Sequence, residues 1–543
     1  MAHSPLPQEI LLLLCEWQAL PSNNYTGSIH ESSPVVVSES YDKVKLARLW
    51  KSILLSSLGQ TAFPYCTYIQ SLSLGSYGSL LEDISRDTTI RPWLFDPQEN
   101  MEQFLVLRDN QKPKRPTRNQ AMPFIDFSKT MIKCGDFFTQ RIKQMADQSK
   151  TSVALVHLEG ITIPEQILST WLTRLPSLVS LQLQDGSVLT AQAASAIYEH
   201  CPNFSEINCL SCAGGHADQD MASFLRALRP NTLEQFEIIS MNHIGELTLT
   251  ALNAHSDSLK TLKLGSLSSE AMRCLNVLAG CTTLEILQIE NRRDDPADLK
   301  VLSEELLKEI TTWIQNCTNL RELNLSNLKD ALPITKEVLS MPSTRLSTLS
   351  LQGFSSHGEL DSAAWEALAR QETLENLTIG GLHDTPDGLG PIIHESPPLT
   401  QSICKLRNLK TLNLTKAIVR TIDLRLIVTA LPELTELSFG GDWIDDQILD
   451  SLSALRHLKV LLINAFSVFT YDGLQAFARR LDPNLHKGIS VDILNQIGNW
   501  KFSPEDEARL SSYFSSTLEG KIEIAVFRDP DEAHESDFSV TSD

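Results

Sequence analysis

The chain is poor in the features that mark several large protein classes. Its longest uninterrupted apolar run is six residues, Ile10 to Cys15, ended by Glu16. A membrane-spanning helix needs about 20 apolar residues, so no span is expected. No Lys or Arg precedes that run, and its apolar core is short for a secretory leader, so none is expected. Positive charge is also scarce: 46 Lys and Arg stand against 67 Asp and Glu, a formal net charge of −21. A general nucleic-acid or membrane-surface binder needs the opposite balance to meet phosphates. Ten Cys in 543 residues do not make a disulfide framework. With no leader expected, a reducing compartment follows, cytoplasmic and/or nuclear. Triplets such as Asn324-Leu-Ser326 and Asn413-Leu-Thr415 are then not expected to carry sugar. Also missing are GxGxxG, the phosphate loop GxxxxGK[ST], GxSxG and HExxH. The thirteen His are scattered, and His157 and His457 fall in or beside expected strands, as structural or surface residues rather than ligands. Acidic pairs such as Asp294-Asp295 and Asp445-Asp446 suit solvated loops or helix starts. No enzyme activity and no cofactor are expected.

What the chain does contain is a repeat. Leu409-Lys-Thr-Leu412-Asn-Leu414 has the form LxxLxL, as do Leu320…Leu325, Leu259…Leu264 and Leu374…Ile379. Seven more copies begin at Leu178, Phe204, Leu233, Leu284, Leu346, Leu434 and Leu458. In chain order the steps are 26, 29, 26, 25, 36, 26, 28, 35, 25 and 24 residues. A further copy near Leu485 to Val491 is out of register by a residue. Spacing of this kind is that of leucine-rich repeats. LxxLxL sends three side chains from a short strand into one core while the residues between them face away. The remainder of each unit reads as a covering helix, for example Ala193 to Cys201, Glu305 to Cys317, Ala363 to Ala369 and Asp446 to Leu455. One unit cannot bury its own apolar face, so the units stack. The expected fold is α/β: a leucine-rich-repeat solenoid, curved like a horseshoe, with a parallel concave sheet and outer helices. The two long steps predict insertions at 291–300 and 383–402. Cys201, Cys281 and Cys317 each lie three residues before a strand's first apolar position, which suits small buried hydrophobes. Cys209-Leu-Ser-Cys212 has the spacing of half a zinc site, but register alone explains it and no second pair follows.

Residues 1–62 do not follow the repeat. Leu6-Pro7-x-Glu9-Ile10, with Leu13 and Leu14, reads as a proline-started amphipathic helix. A polar stretch, 21–40, comes next. A second apolar stripe runs through Val44, Leu46, Leu49 and Trp50 to Ile53 and Leu54. Leu6-Pro7-x-Glu9-Ile10 followed by Trp50 resembles an F-box. The run Leu49-Trp50-Lys-Ser52-Ile53, Ser57-Leu58-Gly59 and Pro64-Tyr65-Cys66-x-Tyr68-Ile69-x-Ser71-Leu72 resembles the entry to the first repeat of fungal F-box/leucine-rich-repeat proteins. The family's apolar second helix, of the kind ALxLVSK, has no counterpart in 21–40.

Repeat spacing, the composition of the end of the chain and the resemblance together lead to an expected division into an F-box-like helical module (1–62), a first repeat-like strand with an inserted connection (63–150), the solenoid (151–527) and an acidic disordered tail (528–543). The resemblance carries the first of these. The resemblance also implies a non-catalytic substrate receptor of a cullin-type (SCF) ubiquitin ligase. In that reading Leu6, Pro7, Glu9, Ile10, Leu13, Leu14 and Trp50 dock the Skp adaptor, and the repeats hold a client protein. The alternative for the amino-terminal helix is a cap on the open end of the solenoid. The alternatives for function are a repeat scaffold without a ligase link and a GTPase-activating repeat protein, for which Arg292, Arg293 or Arg321 would have to face a nucleotide. Lys112-Pro-Lys-Arg115-Pro-Thr-Arg118 is either a solvated loop or a nuclear-import signal. The client surface is expected between the core positions of the middle strands: Lys260, Lys263, Glu285, Arg321, Asn324, Glu375, Lys410 and Asn413. Trp443 after Gly440-Gly441-Asp442 is either an added anchor or a residue packed beneath its own loop.

Overall fold

The computed structural model describes residues 38–108, 123–160, 163–294, 297–355, 359–381, 397–417, 419–495 and 502–526. Fifteen strands follow one another along the chain. They are β1 Ser71–Ser73, β2 His157–Gly160, β3 Ser180–Asp185, β4 Glu206–Cys212, β5 Gln235–Asn242, β6 Thr261–Leu267, β7 Ile286–Asn291 and β8 Glu322–Ser326. Then come β9 Thr348–Phe354, β10 Asn376–Gly381, β11 Thr411–Leu414, β12 Glu436–Ile444, β13 Val460–Ser467, β14 Ser490–Asn495 and β15 Lys521–Val526. They form a single sheet in strictly sequential order, and each pairs with the next in parallel. Parallel neighbours need a crossover, and here the crossovers carry helices. Strands stack about 4.8 Å apart and helices about 9 Å apart, so a layer of each can stay in step only by curving with the sheet inside. The fold is the leucine-rich-repeat solenoid that the spacing predicts. Among the described residues no helix is long and apolar enough to cross a membrane.

The register confirms the repeat residue by residue. Leu262, Leu287, Leu323, Leu349, Leu377, Leu412, Leu437 and Leu461 stand side by side across the sheet. Each is at most 1% exposed. The covering helices follow from local chemistry. In Glu304–Asn316 the Ser303 hydroxyl accepts from the Leu306 N–H, and Glu304 and Glu305 lie in the first turn, where the helix dipole favours carboxylates. Its buried face is Ile310, Trp313 and Ile314, and the Trp313 indole donates to the Cys281 carbonyl at 3.0 Å.

Both ends of the repeat extend beyond the eleven regular copies. Leu155-x-x-Leu158-x-Gly160 supplies β2 with glycine at the third core position. A Cβ on Gly160 would lie 2.2 Å from the Ile163 side chain, so Ile163 fills the vacancy. In β14 and β15 the first consensus position is Gly488 or Glu519, at φ +78° and +49°. Buried Ile489 and Leu518 beside them take the apolar role, which explains the one-residue offset of the last copies.

The amino-terminal part departs most from expectation. The apolar stripe at 44–54 belongs to helix α1 (Ser38–Ser57). It packs with α2 (Leu74–Asp83), α3 (Ile90–Leu94) and α4 (Phe127–Ser149). The connection after 85 is therefore largely helical, and it caps the solenoid. Trp50 is 4% exposed, with its ring 4.4 Å from that of Tyr77. The Tyr77 hydroxyl accepts from the buried Cys134 thiol at 3.5 Å. The expectation that Trp50 contacts an adaptor is corrected here: its side chain is consumed by the cap's own core. Leu6, Pro7, Glu9, Ile10, Leu13 and Leu14 lie outside the described residues, as do 112–118 and 528–543. The core continues from Ala47 to Ile522, so the boundary drawn at 62 does not coincide with a break in packing.

Candidate protein-interaction face

Residues between the core positions form the concave face, and the two ends of each strand differ in chemistry. At the end where the strands begin, the residue after the first core position reads Glu234, Lys260, Glu285, Arg321, Ser347, Glu375 and Lys410 in consecutive repeats. Parallel in-register pairing sets these side chains next to one another. Lys260 pairs with Glu234 at 2.8 Å, Arg321 with Glu285 at 3.7 Å and Lys410 with Glu375 at 2.9 Å. Three positions on, Lys263 pairs with Glu237 at 3.4 Å. The carboxylate lies on the preceding strand each time. Lys459 closes the column by donating to the Leu485 and Lys487 carbonyls at 2.9 and 2.8 Å.

All the cations and carboxylates of the predicted client surface are thus present on this face and already paired. Asn324 and Asn413 are also engaged. The Asn324 carboxamide oxygen accepts from the Ser326 hydroxyl at 2.9 Å, and that of Asn413 accepts from the Thr415 N–H at 3.0 Å. Trp443 is the exception, 69% exposed. It does not follow its strand but lies inside β12, as the extra residue of a bulge between Gly441 and Ile444. A bulge re-aims one side chain at the cost of local backbone freedom. Trp443 has φ +54°, a left-handed conformation that costs a bulky residue about 1–2 kcal/mol.

The same device recurs in β5. Met241, φ +39° and 62% exposed, is the extra residue where the β4–β5 register shifts. Leu210 and Ile239, on neighbouring strands, are 41% and 40% exposed beside it. Gly265 on β6 lets the backbones close up there, since a Cβ would sit 1.9 Å from the Ile239 carbonyl oxygen. Sequence reasoning missed Leu210, Ile239 and Met241 because a bulge adds one residue without altering the spacing of leucines. The available signal was the run of apolar residues continuing past the third core position.

Between these two apolar places lies a polar network. The Lys416 ammonium, beyond β11, reaches back over Gly380 to the Gln352 side-chain oxygen on β9 at 3.0 Å. The Gln352 amide donates to the Ser350 hydroxyl at 3.3 Å. The Asn327 amide donates to a Glu290 carboxylate oxygen at 3.4 Å and to the Asn291 carbonyl at 3.1 Å. Burial, with Arg293 nearby, pushes the Lys416 ammonium below its ordinary range. Burial pushes the Glu290 carboxyl up, opposed by Arg293 and Lys416. Neither Lys416 nor Arg293 makes an ion pair among the described residues.

Other candidate sites do not assemble. Cys209 and Cys212 are buried, and burial raises the Cys212 thiol to about 12. Nearby His216 is exposed, and no metal-holding group of His, Cys, Asp or Glu occurs among the described residues. The Cys201 thiol donates to the Leu172 and Leu175 carbonyls at 3.5 and 3.4 Å, which ties one repeat to the one before it. Protonated buried thiols of this kind are unreactive. Arg292 donates to the Ser266 and Asn242 carbonyls at 3.4 and 3.2 Å, so it is not free to reach a nucleotide. An open groove of about 430 Å³ lies against α4, lined by Val106, Lys129, Ile132, Lys133, Asp136, Ile167 and Thr170. Its carboxylate, Asp136, accepts from the Trp171 indole at 3.1 Å and from Arg174 at 2.7 Å.

No family model and no curated protein matches the chain. Among solved structures, an internalin (inlF) of Listeria monocytogenes is similar at 16% identity and a TM-score of 0.35, covering 70% of this chain and 93% of the internalin. A chain of the yeast Rad7–Elc1 complex is similar at 14% identity and a TM-score of 0.37, covering 85% of this chain and 95% of that one. Likeness of this degree carries no functional argument, and the architecture rests on the strand order and register above.

Proposed function

We propose that the chain is a non-catalytic receptor whose concave face captures a client protein. The observation that carries this reading is the pair Met241 and Trp443. Each is bulky, exposed and held at a left-handed φ on a bulge. Glycine or asparagine would meet the same backbone at less cost. Strain that no internal packing repays is the kind found at ligand-contacting positions, and Trp is enriched among binding hot spots while Met adapts to varied partners.

The finer reading is that the captured protein is presented to a cullin-type ubiquitin ligase, docked through a Skp adaptor at Leu6, Pro7, Glu9, Ile10, Leu13 and Leu14. Its support is the resemblance of the amino-terminal residues to F-box/leucine-rich-repeat proteins. The contribution of the chain would then be proximity, with the chemistry done by other subunits. Trp50 does not take part, and its burial favours the second reading, a repeat scaffold without a ligase link. Co-purification separates the two. The receptor reading expects the wild type to retain the Skp adaptor and the Leu6→Ala, Pro7→Ala variant to lose it with an unchanged far-UV spectrum. A wild type that retains no adaptor leaves the scaffold.

A further inference from the structure

The partner's chemistry can be specified further, resting on the concave-face reading. At the end where the strands finish, three places lie in a row: the apolar cluster Leu210, Ile239 and Met241 on β4–β5, the cations Arg293 and Lys416 over β7–β9, and Trp443 on β12. Seven strand intervals separate β5 from β12, about 34 Å along the sheet. An extended chain of about ten residues covers that distance. The strands between have neighbours on both sides, so their backbone groups are taken and recognition there must come from side chains. Charge in the middle is unbalanced. Half-buried Lys416 and exposed Arg293 make no ion pair among the described residues, and both lie near one half-buried carboxylate, Glu290. Two cations against one carboxylate leave one positive charge, which one further carboxylate balances.

We infer that the finishing ends of β4–β12 bind an extended protein segment with an apolar residue at each end and a single carboxylate between them. The apolar ends meet Met241 with its neighbours and Trp443, and the carboxylate meets Lys416 and Arg293. Charge-assisted hydrogen bonds formed away from bulk water are the strong ones, so the middle contact sets the choice of partner.

The test selects phage-displayed random peptides of about twelve residues, long enough to span the row, on the immobilised full chain. Selected sequences are then made with a fluorescent label and titrated by anisotropy. Expected are peptides with one Asp or Glu between two apolar residues. Lys416→Gln should weaken them by about tenfold, the scale of one charge-assisted contact. Replacing the peptide's acid by its amide should cost clearly more against wild type than against Lys416→Gln, where only the Arg293 contact remains, and this difference is independent of any folding defect. Peptides that need Met241 and Trp443 but carry no acid and ignore Lys416→Gln overturn the inference and leave the concave-face reading standing. Peptides that ignore all three residues overturn both. Recovery of no binder overturns the inference.

Discussion

The two ends of the strands in one sheet have opposite characters. Where the strands begin, Glu234–Lys260, Glu285–Arg321 and Glu375–Lys410 neutralise one another from repeat to repeat. Where they finish, the register shifts, Met241 and Trp443 take left-handed backbone, and Glu290 and Lys416 are half-buried without an ion pair of their own. One end keeps neighbouring repeats in step; the other leaves groups for a partner to satisfy. A predominantly acidic protein can therefore present a local cationic place, because net charge does not report which charges are already paired.

The largest effect lies between the two ends, in the row that supports both. Leu323→Ala or Leu412→Ala should cost about 2–5 kcal/mol in urea unfolding, with neighbouring repeats sharing the loss. A change under about 0.5 kcal/mol would contradict the register. Next comes Gly265→Ala, where the added methyl meets the Ile239 carbonyl backbone. A loss of about 2–3 kcal/mol is expected, since backbone cannot yield as a side chain can. No change would mean that the close approach of β5 and β6 is absent. At the starting ends, Lys263→Glu sets like charges side by side with Glu237. It should lower stability by about 1 kcal/mol or less, and the loss should shrink in high salt.

At the finishing ends the sign reverses. Met241→Gly and Trp443→Gly should leave the midpoint unchanged or raise stability by up to about 1 kcal/mol, as relief of strain outweighs the added chain entropy. Clear destabilisation by either would mean that the side chain is structural. The smallest effect is Glu290→Gln. Burial raises the folded-state carboxyl above its ordinary value near 4.5, so the folded state binds the proton more readily than the unfolded one. Wild-type stability should therefore rise as pH falls through the folded pKa toward 4.5, and be lower above it. Glu290→Gln should flatten that slope and raise the midpoint at neutral pH. An unchanged slope in a pH series of melts would contradict the burial of its charge.

The solenoid was legible in the sequence because its core repeats at fixed spacing, and eleven strands were found from LxxLxL alone. β2 was not among the LxxLxL copies because Gly160 empties a core position that Ile163, from outside the motif, refills. The cap was read as a connection because α4 packs α1 and α2 from far along the chain, a relation that no local pattern records. Trp50 was misplaced for the same reason: its partner Tyr77 comes from the far side of β1. On the concave face, the pairing of the charged residues was not seen. The alternation Glu234, Lys260, Glu285, Arg321 appears only when the repeats are aligned in columns and read across. The bulges at Met241 and Trp443 leave no periodic trace, since each adds a single residue after the core positions have ended.

In the proposed division of labour, the finishing ends of the strands hold the partner while the starting ends hold the repeats together. The most direct test compares Met241→Gly, Trp443→Gly with Lys263→Glu, Lys410→Glu. For each double variant the measurement is retention of the wild type's binding proteins from native extract, scaled to the folded fraction. The glycine pair should lose retention and keep its unfolding midpoint, while the glutamate pair should keep retention and lower its midpoint. Retention lost with the glutamate pair and kept with the glycine pair would contradict that division.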